Sequence, residues 1–343
     1  MSHINSYKRD KIGIGTVCSH SALQIFHGAK QEGFQTLGLT LPNRRQTYES
    51  FPIVSPDKYI EMSSFDKIID SKIQQELIDK NIIVIPHGSF VEYVGAENIL
   101  EKYNVPIFGN KISLEWESSR KKVDHWMRMA DLKVPKYKDP DEIESLCIVK
   151  RGGAKGGRGF FLVNNENDFY SKLKQNNIEN VEDVIIQEYV VGVRYYHHFF
   201  NSILRNRVEF LGVDQRLESN VDGLHRIEEY VEPSYTVTGN SPVILRESLL
   251  PQVKKMGDNV VKASKELFPP GIIGPFCIET ICTPDLEFYA FEISARIVAG
   301  TNLYPNGSQY SCYYFEEPMS TGRRIAREIK EAIQNNIIEK VVS

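Results

Sequence analysis

Long apolar runs are missing from this chain. No stretch comes near the roughly 18 apolar residues of a membrane span, and the opening MSHINSYKRDK has no apolar core of a secretory signal. Paired cysteines are missing too. Cys18, Cys147, Cys277, Cys282 and Cys312 are scattered without a C-x-x-C, which excludes a disulfide framework or zinc knuckle and points to a reducing, cytoplasmic compartment. Charge of one sign is also lacking. Against 45 acidic residues stand 41 basic ones, a net −4, so neither bulk nucleic-acid binding nor an anionic membrane surface is expected. Two common phosphate signatures are absent as well: no G-x-x-x-x-G-K-[ST], and no G-x-G-x-x-G opening a helix.

What is present suits a soluble α/β enzyme. Its 343 residues, 41% hydrophobic and 25% charged, are enough for two or three packed units. We divide them at 1–112, 113–192 and 193–343.

The segment LCIVKRGGAKGGRGFFLV, residues 146–163, reads as strand, glycine-rich basic loop, strand. Such a loop brings backbone N–H groups close to an anion, while Lys150, Lys155 and Arg158 supply fixed positive charge. A polyphosphate-covering flap between antiparallel strands is expected, with a plain mobile hairpin tip as the bland alternative.

Residues 12–110 alternate strand and helix patterns. Strands are expected at 12–17, 36–41, 58–62, 82–86 and 105–108, with helices from Ser19 to Gly33, at 72–80 and at 96–103. That rhythm predicts a doubly wound parallel sheet, whose ligands sit beyond the carboxyl ends of the strands. Ser19-His20, His87-Gly88-Ser89 and Gly109-Asn110 fall there. His20 taken alone reads first as an ordinary capping or surface histidine, and only the coincidence of the three clusters points to a small-ligand site.

One long helix is expected over 113–131, with Trp116 and Trp126 in the core. The segment 184–192, ending Glu188-Tyr189-Val190-Val191-Gly192, has the character of an edge that pairs with a purine, or of a buried strand. A hairpin is expected to turn at Arg205-Asn206, and helices over 247–268 and 323–337. Strands over 274–281 and 286–294 form a last hairpin around Pro284-Asp285. An even ladder there sets Glu279 opposite Ala290, with Glu292 as its diagonal neighbour on the same face. Two carboxylates converging on an apolar sheet call for a cation, and Mg²⁺ shared with phosphate oxygens suits them. Two solvated glutamates are the alternative.

Taken together, a lysine-bearing flap, an apolar segment ending in Glu188 and a Glu…Glu-x-x-x-Arg hairpin resemble the ATP-grasp ligases. The whole chain is similar to the archaeal formate-dependent FAICAR synthetase (PurP) family. The residues that carry the likeness are GTVCSHS (15–21), PHGSF (86–90), FGN (108–110), the 150–161 flap, QEYVVG (187–192), ESNVDGL (218–224), TGN (238–240), RESLLPQV (246–253), GPFC (274–277), EISAR (292–296) and GTN (300–302).

The resemblance implies an ATP-grasp fold behind a Rossmann-like N-terminal domain. It implies a ligase that formylates aminoimidazole-carboxamide ribonucleotide through formyl phosphate, in purine biosynthesis. The ribonucleotide would lie on His20, Ser89 and Asn240. ATP would lie on Lys150, Lys155, Gly156, Gly157, Arg158, Gly159, Glu188, Tyr189, Val190, Val191 and Glu218. Mg²⁺, or Mn²⁺ in its place, would bridge Glu279 and Glu292. Arg296 and Lys150 would carry the chemistry. Trimers or hexamers are implied. The chain departs from the family pattern at Val298-Ala299, where an Asp-Gly is expected, and at Arg151-Gly152-Gly153, where an aromatic and a proline are usual. A paralogue joining another acid and amine, and a nucleotide-binding regulator without turnover, are the alternatives.

Overall fold

The computed structural model describes residues 3–151, 160–219 and 236–343. Lys155, Gly156, Gly157, Arg158 and Gly159, expected to hold phosphate, lie outside the described residues, as does most of the 218–224 segment.

The first sheet comprises β1 (Gly13–Val17), β2 (Thr36–Thr40), β3 (Lys58–Glu61) and β4 (Ile82–Val84) in the order β3-β2-β1-β4, all parallel. β1, β2 and β4 are buried along their whole length, as the near-continuous apolar runs of a sheet covered on both faces require. Helices α1 (Ala22–Gln31), α2 (Pro42–Glu49), α3 (Ser71–Asp79), α4 (Gly88–Val94) and α5 (Ala96–Glu101) connect or follow these strands. Ile25, Phe26 and Ala29 place the apolar stripe of α1 on the sheet. The helix stops where Gly33 takes φ 88°. There Gly33 N–H donates to the Lys30 carbonyl and Phe34 N–H to the Ala29 carbonyl, at 3.0 and 2.9 Å, a pairing that needs a residue tolerant of positive φ.

Three expectations need correction here. Ser21, not Ser19, occupies the N-cap of α1, and its side chain makes no cap bond. The fifth strand shortens to one parallel bridge, Val84 to Ile107, with two hydrogen bonds to β4, while its outer side pairs with Val342 and Ser343. The long helix over 113–131 is two: α6 (Lys111–Glu117) and α7 (Arg120–Met129). Ser119 caps the second by accepting from Lys122 N–H, since serine side chains compete for backbone donors and interrupt helices. Trp126 is fully buried, with its indole N–H on the Val260 carbonyl at 3.0 Å, and Trp116 packs partly buried on the same core.

A second, three-stranded sheet holds β5 (Cys147–Arg151) between β6 (Phe160–Val163) and β7 (Val184–Glu188), both antiparallel to it. Helix α8 (Glu166–Gln175) covers it through Phe169 and Leu173. The third sheet is antiparallel, with β8 (Val193–Ser202), β9 (Arg207–Glu218), β10 (Val237–Pro242), β11 (Gly274–Cys282) and β12 (Phe288–Ser294) in the order β10-β9-β8-β11-β12. One face packs Phe199, Phe210, Phe276, Ile278 and Phe288 against α7 and α9 (Leu250–Leu267).

Helix α10 (Thr321–Gln334) locks the end of the chain to α1. Their backbones touch at two glycines. A Cβ on Gly28 would stand 2.1 Å from the Arg323 nitrogen, and one on Gly322 would stand 2.2 Å from the Gln24 carbonyl oxygen. Beneath this contact Arg324, Glu209 and Glu328 are wholly buried, with Arg324 reaching Glu209 at 2.7 Å and Glu328 at 2.8 Å. Among the described residues, no helix is long and apolar enough to cross a membrane.

Candidate active site

Cross-strand partners in an antiparallel sheet share a face. The registers Asp214↔Tyr196, Tyr196↔Glu279 and Glu279↔Glu292 therefore line up four residues in one row on the face of the third sheet turned away from its helices. Asn240 pairs with Arg216 on the same face. The expected diagonal placement of Glu292 is corrected. The ladder skips Phe291, so Thr280 pairs with Ala290 while Glu279 meets Glu292 directly. A bulge of this kind re-aims a side chain at a site.

The acid pair is buried and crowded. Burial, then the negative charges of Glu279 and Glu117, push the Glu292 carboxyl up to about 8. Glu279 accepts from Arg216 Nη2 at 2.7 Å through Oε1, and that guanidinium lies over the Tyr196 ring at 3.7 Å. A third carboxylate, Glu117 at the end of α6, accepts from Ala295 N–H at 2.5 Å and from Arg296 Nε at 3.1 Å. It thus fixes the orientation of Arg296, which follows β12. Two directly opposed carboxylates with hard oxygen donors and too little positive charge between them fit a divalent cation such as Mg²⁺. Among the described residues, no cluster of three or more His, Cys, Asp or Glu adds a further metal set.

Lys150 in β5 donates to Gln187 Oε1 in β7 at 2.7 Å. Burial, and then the neighbouring charge of Arg120, lower its pKa, while Glu292 opposes the shift. The flap strand and the acid pair therefore share one electrostatic environment. Glu188 ends β7 opposite Cys147. Its N–H and that of Tyr189 go to the Lys136 and Leu146 carbonyls at 2.9 and 3.0 Å. Val190 is half-buried and Val191 is exposed. Glu218 is tied to Arg194 at 2.6 Å.

The first sheet supplies the opposite wall. His20 takes φ 53°, and its ring stacks on His87 at 5.2 Å. A Cβ on Gly88 would meet His20 Nε2 at 2.9 Å and the Arg296 guanidinium carbon at 3.4 Å, so only glycine lets these two groups approach. His20 is exposed to the cleft, yet desolvation by its walls and repulsion from His87, Arg296 and Arg216 hold the imidazole neutral, well below its ordinary pKa. Ser89 Oγ accepts from Ser19 Oγ at 3.0 Å. Asn240 donates through Nδ2 to Asp214 at 2.6 Å, and Asp214 is held by His198 at 2.7 Å. The turn over Ala299–Leu303 joins the two walls. Gly300 abuts Asp214, while Asn302 donates to the His20 carbonyl at 3.1 Å. Val298, at the departure from the family pattern, packs into a buried cluster with Tyr196 and Cys277.

Reading by motif missed Arg216, Glu117 and Asp214. The alternation Asp214-x-Arg216-x-Glu218 in β9 was a usable signal, since period two puts all three on one face. Nothing in the helical pattern around Glu117 marks it. A small, mainly apolar recess lined by Ile85, Phe108, Leu114, Pro275 and Arg296 touches no member of the acid pair, and reads as space between layers.

Comparison with known proteins gives a consistent picture. Two family models match, one described as a domain of unknown function (DUF1297) over residues 165–343, the other as a protein of unknown function (DUF1246) over residues 14–138. The chain is 47% identical to the 5-formaminoimidazole-4-carboxamide-1-(beta)-D-ribofuranosyl 5'-monophosphate synthetase of Korarchaeum cryptofilum, over 100% of this chain and 98% of that protein. The protein of the same name from Methanocaldococcus jannaschii is also 47% identical, over 99% of this chain and 97% of its own length. Among solved structures, the IMP biosynthesis protein PurP of Thermococcus kodakaraensis superposes with a TM-score of 0.77 at 35% identity, covering 96% of this chain and 100% of that one. The ADP complex of the N5-carboxyaminoimidazole ribonucleotide synthetase purK superposes at 0.64 with 16% identity, over 93% of this chain and 76% of its own. At that distance the likeness is one of fold, and the fold is ATP-grasp.

Proposed function

The chain belongs to the family of archaeal 5-formaminoimidazole-4-carboxamide ribonucleotide (FAICAR) synthetases, and from that premise we propose that it joins formate to the 5-amino group of aminoimidazole-carboxamide ribonucleotide (AICAR) with ATP. ATP phosphorylates formate, the amine attacks the formyl carbon, and phosphate leaves, giving FAICAR and ADP. The observation that carries this reading is the direct facing of Glu279 and Glu292 beside Lys150 and Glu117, the latter holding Arg296.

Glu279 and Glu292 would hold Mg²⁺, which supplies charge neutralisation to the transferring phosphoryl group. Lys150, with Lys155 and Arg158 of the flap, holds phosphate oxygens. The adenine end lies along Glu188–Val191, with Glu218 nearby. Arg296, oriented by Glu117, stabilises negative charge on the formyl and phosphoryl groups. His20, Ser89 and Asn240 bind the ribonucleotide. Because His20 is held neutral and weakly basic, it serves as a hydrogen-bond partner and not as the proton acceptor. The flap excludes water from the acyl phosphate.

This reading carries with it the division at 112/113 and 192/193, a cytoplasmic enzyme without nucleic-acid partners, and trimers or hexamers. Incubation with ATP, labelled formate and AICAR tests it: ADP and labelled FAICAR should appear in equal amounts. ADP without formyl transfer indicates a ligase for another acid or amine, and no ADP with any acid indicates a regulator.

A further inference from the structure

Two buried groups stand behind Asn240. The ladder between β10 and β9 skips Thr238, which sets Asn240 opposite Arg216 with Asp214 as its diagonal neighbour. Asn240 is half-buried, whereas Asp214 and His198 are 1% and 2% exposed. Asn240 Nδ2 donates to Asp214 Oδ2 at 2.6 Å, and His198 Nε2 donates to Asp214 Oδ1 at 2.7 Å. A carboxylate only accepts, so both neighbours must turn a hydrogen towards it. The chain is polarised in one sense, and the atom of Asn240 left to meet a ligand is its carbonyl oxygen. Among the described residues none donates to that oxygen.

Asp214 has little room to turn. A Cβ on Gly300 would stand 2.1 Å from its Oδ1, so the backbone of the 299–303 turn closes on the carboxylate. Tyr304 sets its ring edge-on to His198, with centroids 6.5 Å apart. His198 Nδ1 is buried without a partner. An apolar side chain would avoid that cost, so what His198 contributes here is the bond it makes to Asp214.

We propose that His198 and Asp214 are positioning residues that hold Asn240 as a hydrogen-bond acceptor for the 4-carboxamide N–H of the ribonucleotide, and that this polarity rejects a carboxylate in the same place. The inference rests on the ribonucleotide reading above. The ribonucleotide has two donors to offer, the carboxamide and the 5-amino group. The amine must reach the formyl group near Glu279 and Glu292, on the far side of β9 and β8 from Asn240, which leaves the carboxamide for Asn240. An acceptor backed by a buried anion welcomes a donor and repels a second anion.

Calorimetric titration without ATP or formate tests this with three ribonucleotides: AICAR, its 4-carboxylate counterpart, and the compound with hydrogen at position 4. The native protein should prefer AICAR to the carboxylate by at least about 100-fold. In Asp214→Asn, His198 Nε2 holds the new amide by its oxygen. The new NH2 group then faces Asn240 and turns that amide over, presenting a donor. The preference should fall by roughly 10- to 100-fold, while affinity for the compound with hydrogen at position 4 stays the same. His198→Leu should narrow the preference, and His198→Gln, whose amide N–H can take the place of Nε2, should restore it. Asn240→Ala, a half-buried position where folding is not at stake, should abolish the preference without reversing it. Equal weakening of all three compounds in the Asp214 and His198 variants would mark a packing role and overturn the assignment, as would a native protein that binds amide and carboxylate alike. A native protein that binds none of the three overturns the ribonucleotide reading and this one together, whereas tight binding without discrimination overturns this one alone.

Discussion

Glu279 and Glu292 are direct cross-strand partners, because β12 carries one residue more than β11 needs between them and the turn. That extra residue, Phe291, converts a diagonal pair into a facing one.

Replacing Glu292 with Gln should cut product formation by about 10²–10³, the usual cost of one charged contact at a reacting phosphate. The same change removes a buried carboxyl that the metal-free fold forces to take up a proton at neutral pH, so the metal-free variant should melt at or above the native temperature. Normal turnover by the variant would sink the metal assignment. A lower melting temperature would mean that the carboxylate is needed for packing.

His87 makes stability depend on pH. Its Nδ1 accepts from Phe90 N–H at 3.3 Å, so Nε2 carries the proton and donates to the Val17 carbonyl at 2.9 Å. Burial, reinforced by Arg296, pushes its pKa down to about 4. The unfolded chain therefore takes up a proton near the ordinary histidine value of about 6.5, which the folded one refuses. Stability from this group is present above that value and is lost as pH falls towards 4. Between pH 7 and 5 the native protein should lose about 2 kcal/mol that His87→Asn does not lose. Urea titrations at the two pH values measure the difference, and parallel losses would contradict it.

Arg324 is fully buried between Glu209 and Glu328. Arg324→Met should destabilise by about 3–5 kcal/mol, because two buried carboxylates lose their shared cation. A triple change to apolar residues should recover most of that loss. Chemical denaturation distinguishes the two outcomes, and a harmless single change would refute the account.

Gly28→Ala should destabilise by about 1–3 kcal/mol through overpacking. The added methyl meets backbone of α10, which cannot rotate away as a side chain can. Alanine is the better helix former, so a stabilised variant would show that the helices separate at little cost.

Much of the architecture was legible because the strands announce themselves by apolar runs and the turns by Gly, Asn and Pro. The acids were legible too, since Glu279 and Glu292 sit in strands with a recognisable turn between them. Their exact pairing was not, because a one-residue bulge leaves no mark on the alternation. Ser118-Ser119 looked compatible with an unbroken helix, and only capping geometry separates α6 from α7. Arg216 and Glu117 act through partners distant in sequence, and no local pattern reports such contacts. The fifth strand does pair with Val84 as its apolar run suggests, but its second neighbour was hidden for the same reason, as Ile107 bonds to Ser343.

That last pairing has a kinetic consequence. Ile107 and Ser343 exchange backbone hydrogen bonds at 3.0 and 2.9 Å, and Gly109 N–H reaches the Val341 carbonyl at 2.9 Å. The outer backbone groups of residues 107–109 are thus satisfied by residues 341–343, far along the sequence. During synthesis the first sheet forms with those groups still unpaired, so folding should be slowed by contacts of such separation, and deleting residues 341–343 should leave a sticky border in the first domain.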